Sequence, residues 1–174
     1  MDAVTKPVDK EVKKKTATAA RTAGGRRLRM SRGMTVDSGA ADSVMPKRLL
    51  RYWHKIRANA ASRAGVHYVA ASDHRIRNEG EVTFPFQTKE GGNHSWTFQI
   101  AEVNKALASV STMVDSGYRV TFDKDEKTGK DLSFATHKKS GESIRLTREK
   151  NVWIIDAYIS ERRPSKGEGF GRPE

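Results

Sequence analysis

The sequence contains no cysteine, which excludes disulfide bracing, thiolate nucleophiles and cysteine-based zinc sites. Large apolar groups are also scarce: of 174 residues, 36% are hydrophobic and 7% aromatic. Part of the chain is therefore expected to stay outside the core, leaving a folded body of about 120–130 residues, an ordinary domain size. No apolar run approaches the length of a membrane span, and the N-terminus lacks the hydrophobic segment of a signal peptide. The chain reads as soluble and intracellular, with its compartment left open.

Acidic residues are outnumbered, 21 Asp and Glu against 33 Lys and Arg, giving a net charge of +12 and a pI near 10.1. Such a balance suits contact with nucleic acid, an anionic membrane surface or an acidic partner. The excess is concentrated, because residues 1–33 hold ten Lys and Arg and only three acids. With few large apolar side chains, residues 1–32 are expected to form a basic arm, extended or disordered. Lys13, Lys14 and Lys15, together with Arg26, Arg27 and Arg29, are candidates for RNA, DNA or another anionic partner, or for nuclear or organellar targeting. A solvated tail is the plainer reading.

From Met34 the pattern changes. Met34-Thr35-Val36 reads as a short strand running into the turn sequence Asp37-Ser38-Gly39. Leu49, Leu50, Trp53 and Ile56 then recur at helical spacing, predicting a helix over Met45–Arg63, with Pro46 in its first turn and Gly65 as its stop. Beyond Val66 the period is two. Residues 67–70 and 74–77 read as a hairpin around Ala71-Ser72-Asp73, and 81–87 with 95–101 as a second around Gly91-Gly92-Asn93. Pro85 suggests an edge or a bulge. Ala106–Val114 is mildly helical, and strands are predicted at 118–122, 132–135, 143–146 and 152–159. The tail from 161 to 174 should be loose. His54 and His67 lack convergent partners, so no metal or other cofactor is expected. The body is therefore mainly β, with one or two short helices.

Asp-Ser-Gly after a buried strand has a chemical rationale. Two carboxylates brought close together share one proton, since both cannot ionise; one then activates a water while the other polarises a carbonyl. Asp37 would be such a carboxylate, Ser38 would lock the turn by hydrogen bonding, and Gly39 would let a backbone N–H approach where a Cβ would intrude. The tripeptide is common in turns and alone carries little weight. Its repeat at Asp115-Ser116-Gly117 follows a helical pattern and reads as a helix end.

Context adds weight. The run from Gly33 through Asp37-Ser38-Gly39-Ala40 to Val44 resembles the active-site segment of retroviral and retrotransposon proteases. Residues 106–122, with Ser109-Val110-Ser111 and Gly117, are similar to a later segment of Copia-type polyproteins. Arg148–Asp156 is similar to the stretch that follows the protease there. The resemblance spans residues 33–159 and implies a retropepsin-like closed β domain over 33–122, with a C-terminal β-hairpin extension over 123–160. It further implies an aspartic endopeptidase acting on polypeptide as a homodimer, with Asp37 from each chain and Ser38, Gly39 and Ala40 forming the active-site turn. Substrate contacts would come from Asp42, from the hairpin tip at Ala71, Ser72 and Asp73, and from Leu107 and Ser109. The sequence departs from the retroviral pattern in three places. The hairpin tip lacks glycine, Ser109 stands where retroviral proteases have Gly, and Ala41 stands where an acid often contacts substrate. A catalytically inactive scaffold or complex subunit, its basic arm bound to RNA or another anion, is the alternative.

Overall fold

The computed structural model describes residues 26–165. The described residues begin with β1 (Arg27–Arg29), β2 (Met34–Asp37) and β3 (Val44–Met45), followed by α1 (Ala60–Arg63) and the hairpin of β4 (His67–Val69) and β5 (Arg75–Arg77). The long hairpin of β6 (Glu81–Thr88) and β7 (Asn93–Ile100) precedes β8 (Ala106–Ser109), α2 (Val110–Asp115) and β9 (Tyr118–Thr121). Five short strands complete the described residues: β10 (Phe134–His137), β11 (Ser143–Arg145), β12 (Thr147–Glu149), β13 (Val152–Ile155) and β14 (Ala157–Ser160).

Nine of these strands form one sheet in the order β1-β14-β6-β7-β3-β8-β2-β13-β12; β11-β10-β9 and β4-β5 form two smaller ones. The mainly β architecture with two short helices is the one expected. The sheet itself, expected to close on itself, is open, with β1 and β12 as its edges. One core serves the described residues, running from Met34 and Val36 through Phe84, Phe86 and Phe98 to Ile144, Ile155 and Ile159.

The two hairpins form where period-two alternation predicts them. On β6 the alternation is strict, with Val82, Phe84, Phe86 and Thr88 buried between half-exposed neighbours. β14 reaches β6 only at Gln87 and Thr88, so Pro85 lies where the outer side of β6 carries no paired strand. That satisfies the edge requirement of a residue without an N–H.

Three further expectations are corrected. The helix over Met45–Arg63 is a single 3-10 turn at Lys47–Leu49, then an irregular stretch, then α1. Leu49, Leu50 and Ile56 do pack against the core, so the apolar spacing is real. However, the backbone of Arg57 exchanges both hydrogen bonds with Glu81, and the His54 ring accepts the Arg51 N–H at 2.8 Å. Those bonds replace the helical ladder. α1 starts only at a capping box formed by Asn59 and Ser62, and Gly65 follows it at φ +68°.

The second correction concerns residues 26–32, the part of the expected basic arm that lies within the described residues. Arg27–Arg29 is a strand paired with β14, Leu28 packs on the core, and Met30 is buried. Leu28 and Met30 alternate with arginines, a strand pattern hidden by basic composition. Third, residues 152–160 are strands but no appendage. β13 pairs with β2, and β14 pairs with β1 and β6, with only Asp156 between them. The strand expected at 152–159 thus bends and serves both wings of the sheet. The hairpin of β12 and β13 turns through Lys150 and Asn151, both at positive φ, the conformation of a two-residue I′ turn.

Candidate active site

Asp37 ends β2, a strand flanked by β8 running parallel and β13 running antiparallel. Met34, Thr35 and Val36 are buried, and at Asp37 the strand emerges half-exposed. The carboxylate thus stands on a fixed floor while its outer face meets solvent. The N–H of Gly39 donates to Oδ1 of Asp37 at 2.8 Å, and a Cβ at residue 39 would lie 3.3 Å from that oxygen. A side chain there would crowd the contact, and the Asp37 carboxylate would have to give by a few tenths of an ångström. Ser38 is exposed, and among the described residues its hydroxyl has no hydrogen bond; within one chain it locks nothing.

The rest of the turn is pinned from below by Ser109, in register with Asp37 across the parallel pair. Its hydroxyl donates to the Ala40 carbonyl at 2.7 Å and accepts the Thr112 N–H at 3.2 Å, capping α2. Its own N–H donates to the Ser43 hydroxyl at 3.0 Å. Ser109 is 0% exposed, so the expected substrate contact is corrected to a positioning role. Residues 106–109, expected to be helical, are strand for the same reason: their backbone pairs with β2. Leu107 stands half-buried between β2 and β3.

Asp42 is exposed and engaged. Its Oδ2 accepts the Tyr68 hydroxyl at 3.1 Å, and that hydroxyl accepts an N–H of Asn78 at 3.0 Å. The Asn78 amide also donates to Gln99 at 2.9 Å and accepts the Gly80 N–H at 2.8 Å, so this fully buried side chain has partners on both atoms. Burial and then the neighbouring Asp42 carboxylate push the Tyr68 hydroxyl up to about 12, so it stays protonated and donates. The hairpin of β4 and β5 is thereby latched to the Asp37 loop. Its tip, Ala71, Ser72 and Asp73, is exposed, with Asp73 at φ +58° in a turn closed onto Ala70.

Tyr68, Asn78, Gln99 and Ser43 escaped the sequence reading. One signal was available, a polar Asn78 between two period-two segments, but its partners lie far apart in the chain. Of the basic candidates, Arg29 is paired with Asp156 at 2.5 Å, Arg27 is half-buried in β1 and Arg26 is exposed. Lys13, Lys14 and Lys15 lie outside the described residues. Among the described residues, no helix is long and apolar enough to cross a membrane, and no group of three or more His, Asp or Glu is placed to hold a metal ion.

Chemically, one chain offers the half-exposed Asp37 carboxylate on a loop bonded to Ser109, with the neighbouring Asp42 carboxylate already taken by the Tyr68 hydroxyl. Asp37 can accept a proton or hold a water. Sharing a proton between two carboxylates requires a second copy of the loop. No family model, curated protein or solved structure matches this chain.

Proposed function

We propose that the chain is an aspartic endopeptidase that acts as a homodimer, pairing Asp37 of one copy with Asp37 of the other. The observation that carries this reading is the carboxylate at the end of a buried strand, bonded by the Gly39 N–H at 2.8 Å. In the pair, the two carboxylates share one proton. The ionised one takes a proton from a water, which attacks the scissile carbonyl, while the protonated one donates to the carbonyl oxygen. The tetrahedral adduct collapses as a proton passes to the leaving amine. The β4–β5 hairpin lies beside the loop and would close over polypeptide, excluding water.

The alternative, a scaffold that kept the fold and lost the chemistry, is favoured by one observation. Asp42, a candidate substrate contact, already accepts the Tyr68 hydroxyl. The test is Asp37→Asn, which keeps the Gly39 contact and removes the titratable group. Peptidase activity should disappear while dimer mass in sedimentation stays the same; undiminished cleavage by the variant refutes the assignment. A parent chain that dimerises without cleaving any unfolded polypeptide points to the scaffold.

A further inference from the structure

A surface cavity, about half open to solvent, lies away from Asp37. Ser31, Arg32, Arg48, Leu49, Asn104 and Lys105 line its volume of about 450 Å³, within the range of small-ligand sites. The Ser31-Arg32 turn feeds β2, the Asn104-Lys105 turn feeds β8, and Arg48 sits in the 3-10 turn after β3. The cavity therefore lies at the entry end of the parallel β2–β8 pair, while Asp37 and Ser109 lie at its exit. At roughly 3.3 Å per strand residue the two ends are about 10 Å apart.

The lining holds three cationic side chains and no acid; Glu102, the nearest acid in sequence, is not part of it. Arg48 is oriented by a hydrogen bond from its guanidinium to the Asn104 carbonyl, which leaves its other N–H donors available. Among the described residues, Arg32 and Lys105 have neither ion-pair nor side-chain hydrogen-bond partners. Arg32 is also held at φ +62°, a conformation costly for any residue with a Cβ. That φ belongs to the β-turn Met30–Gly33, closed by the Gly33 N–H on the Met30 carbonyl at 3.1 Å, and the turn sets Arg32 on the cavity wall.

We propose that this cavity binds a phosphate group, carried either by a small phosphorylated molecule or by a nucleic-acid backbone. Two guanidinium forks and an ammonium supply charge-assisted donors suited to phosphate oxygens, and the Ser31 hydroxyl adds a neutral donor.

The decisive variant is Arg32→Gly, which removes the cation while suiting the left-handed backbone, so it should fold at least as well as the parent. Lys105→Gln removes a second cation, and Lys130→Gln, outside this cavity, is the control. The full chain is titrated with inorganic phosphate, followed by NMR, and with a labelled single-stranded oligoribonucleotide, followed by anisotropy. Arg32→Gly and Lys105→Gln should each weaken binding about tenfold, the loss expected for one charge-assisted contact, with Lys130→Gln unchanged. Weakening confined to the oligoribonucleotide identifies nucleic acid as the source, and weakening confined to phosphate identifies a small phosphorylated molecule. Parent-like binding of both probes by both variants, or no binding of either probe by the parent, overturns the proposal.

Discussion

Removing one hydroxyl at Ser109 tests whether the loop bearing Asp37 is held from beneath. The oxygen of Ser109 serves three neighbours: it donates to the Ala40 carbonyl at 2.7 Å, accepts Thr112 N–H at 3.2 Å, and lies 2.9 Å from the Ser111 hydroxyl. Because its one proton goes to Ala40, Ser111 must be the donor in the last pair. Ser109→Ala strips the cap from α2, costing about 1 kcal/mol. It also orphans the Ala40 carbonyl, which costs about 1–3 kcal/mol, with the low end applying because half-exposed Ala40 is within reach of water. Exposed Ser111 turns to solvent at no appreciable cost. The sum is about 2 kcal/mol. In urea denaturation the midpoint should fall with an unchanged slope, since no extra surface is exposed. Ser111→Ala, the control, should shift stability by less than about 0.5 kcal/mol. If Ser109→Ala behaves like Ser111→Ala, the hydroxyl does not hold the loop and the positioning argument fails.

Further outcomes follow from the same geometry. Tyr68→Phe removes the bonds to Asp42 and Asn78 and should cost about 1 kcal/mol. The sign of the latch is faster amide exchange in residues 67–77, and unchanged exchange there would show that Tyr68 holds nothing. Burial lowers His54 from 6.5 to about 4, and the ring lies stacked between Trp53 and Phe84. The folded state thus disfavours protonation, so its stability should be complete above pH 6.5 and decline as pH falls toward 4, with buried His94 adding in the same direction. His54→Phe, which preserves the stack, should flatten that decline in denaturation midpoints collected across pH; an equally steep profile would reassign it to other groups. Two glycine substitutions separate clash from backbone strain. A Cβ at Gly33 would lie 2.5 Å from the Ile155 carbonyl oxygen at φ +55°, whereas one at Gly65 meets nothing within 4 Å at φ +68°. Gly65→Ala should cost about 1 kcal/mol and Gly33→Ala more than about 3 kcal/mol; similar thermal melts for the two would contradict the close approach of β2 and β13.

What the sequence determined by itself was local. Alternation in residues 67–101 is enough to place both hairpins, because a period of two sends successive side chains to opposite faces whatever else the chain does. Val36-Asp37-Ser38-Gly39 likewise announces a strand ending in a turn, and a close approach of the residue 39 N–H to the carboxylate could be expected before any distance was known. The tertiary structure decided where backbone hydrogen bonds go when two local solutions compete. Residues 51–57 carry helical spacing, yet Glu81 takes the backbone bonds of Arg57. Ala106–Ser109 resembles a helix, but the parallel register with β2 makes it a strand. Leu28 and Met30 look like part of a charged tail until β14 offers a partner. The support of the candidate site was equally illegible, because Ser109, Tyr68 and Asn78 act through bonds to groups distant in the chain. Sequence spacing carries local periodicity, whereas long-range pairing depends on which segments the folded core brings together.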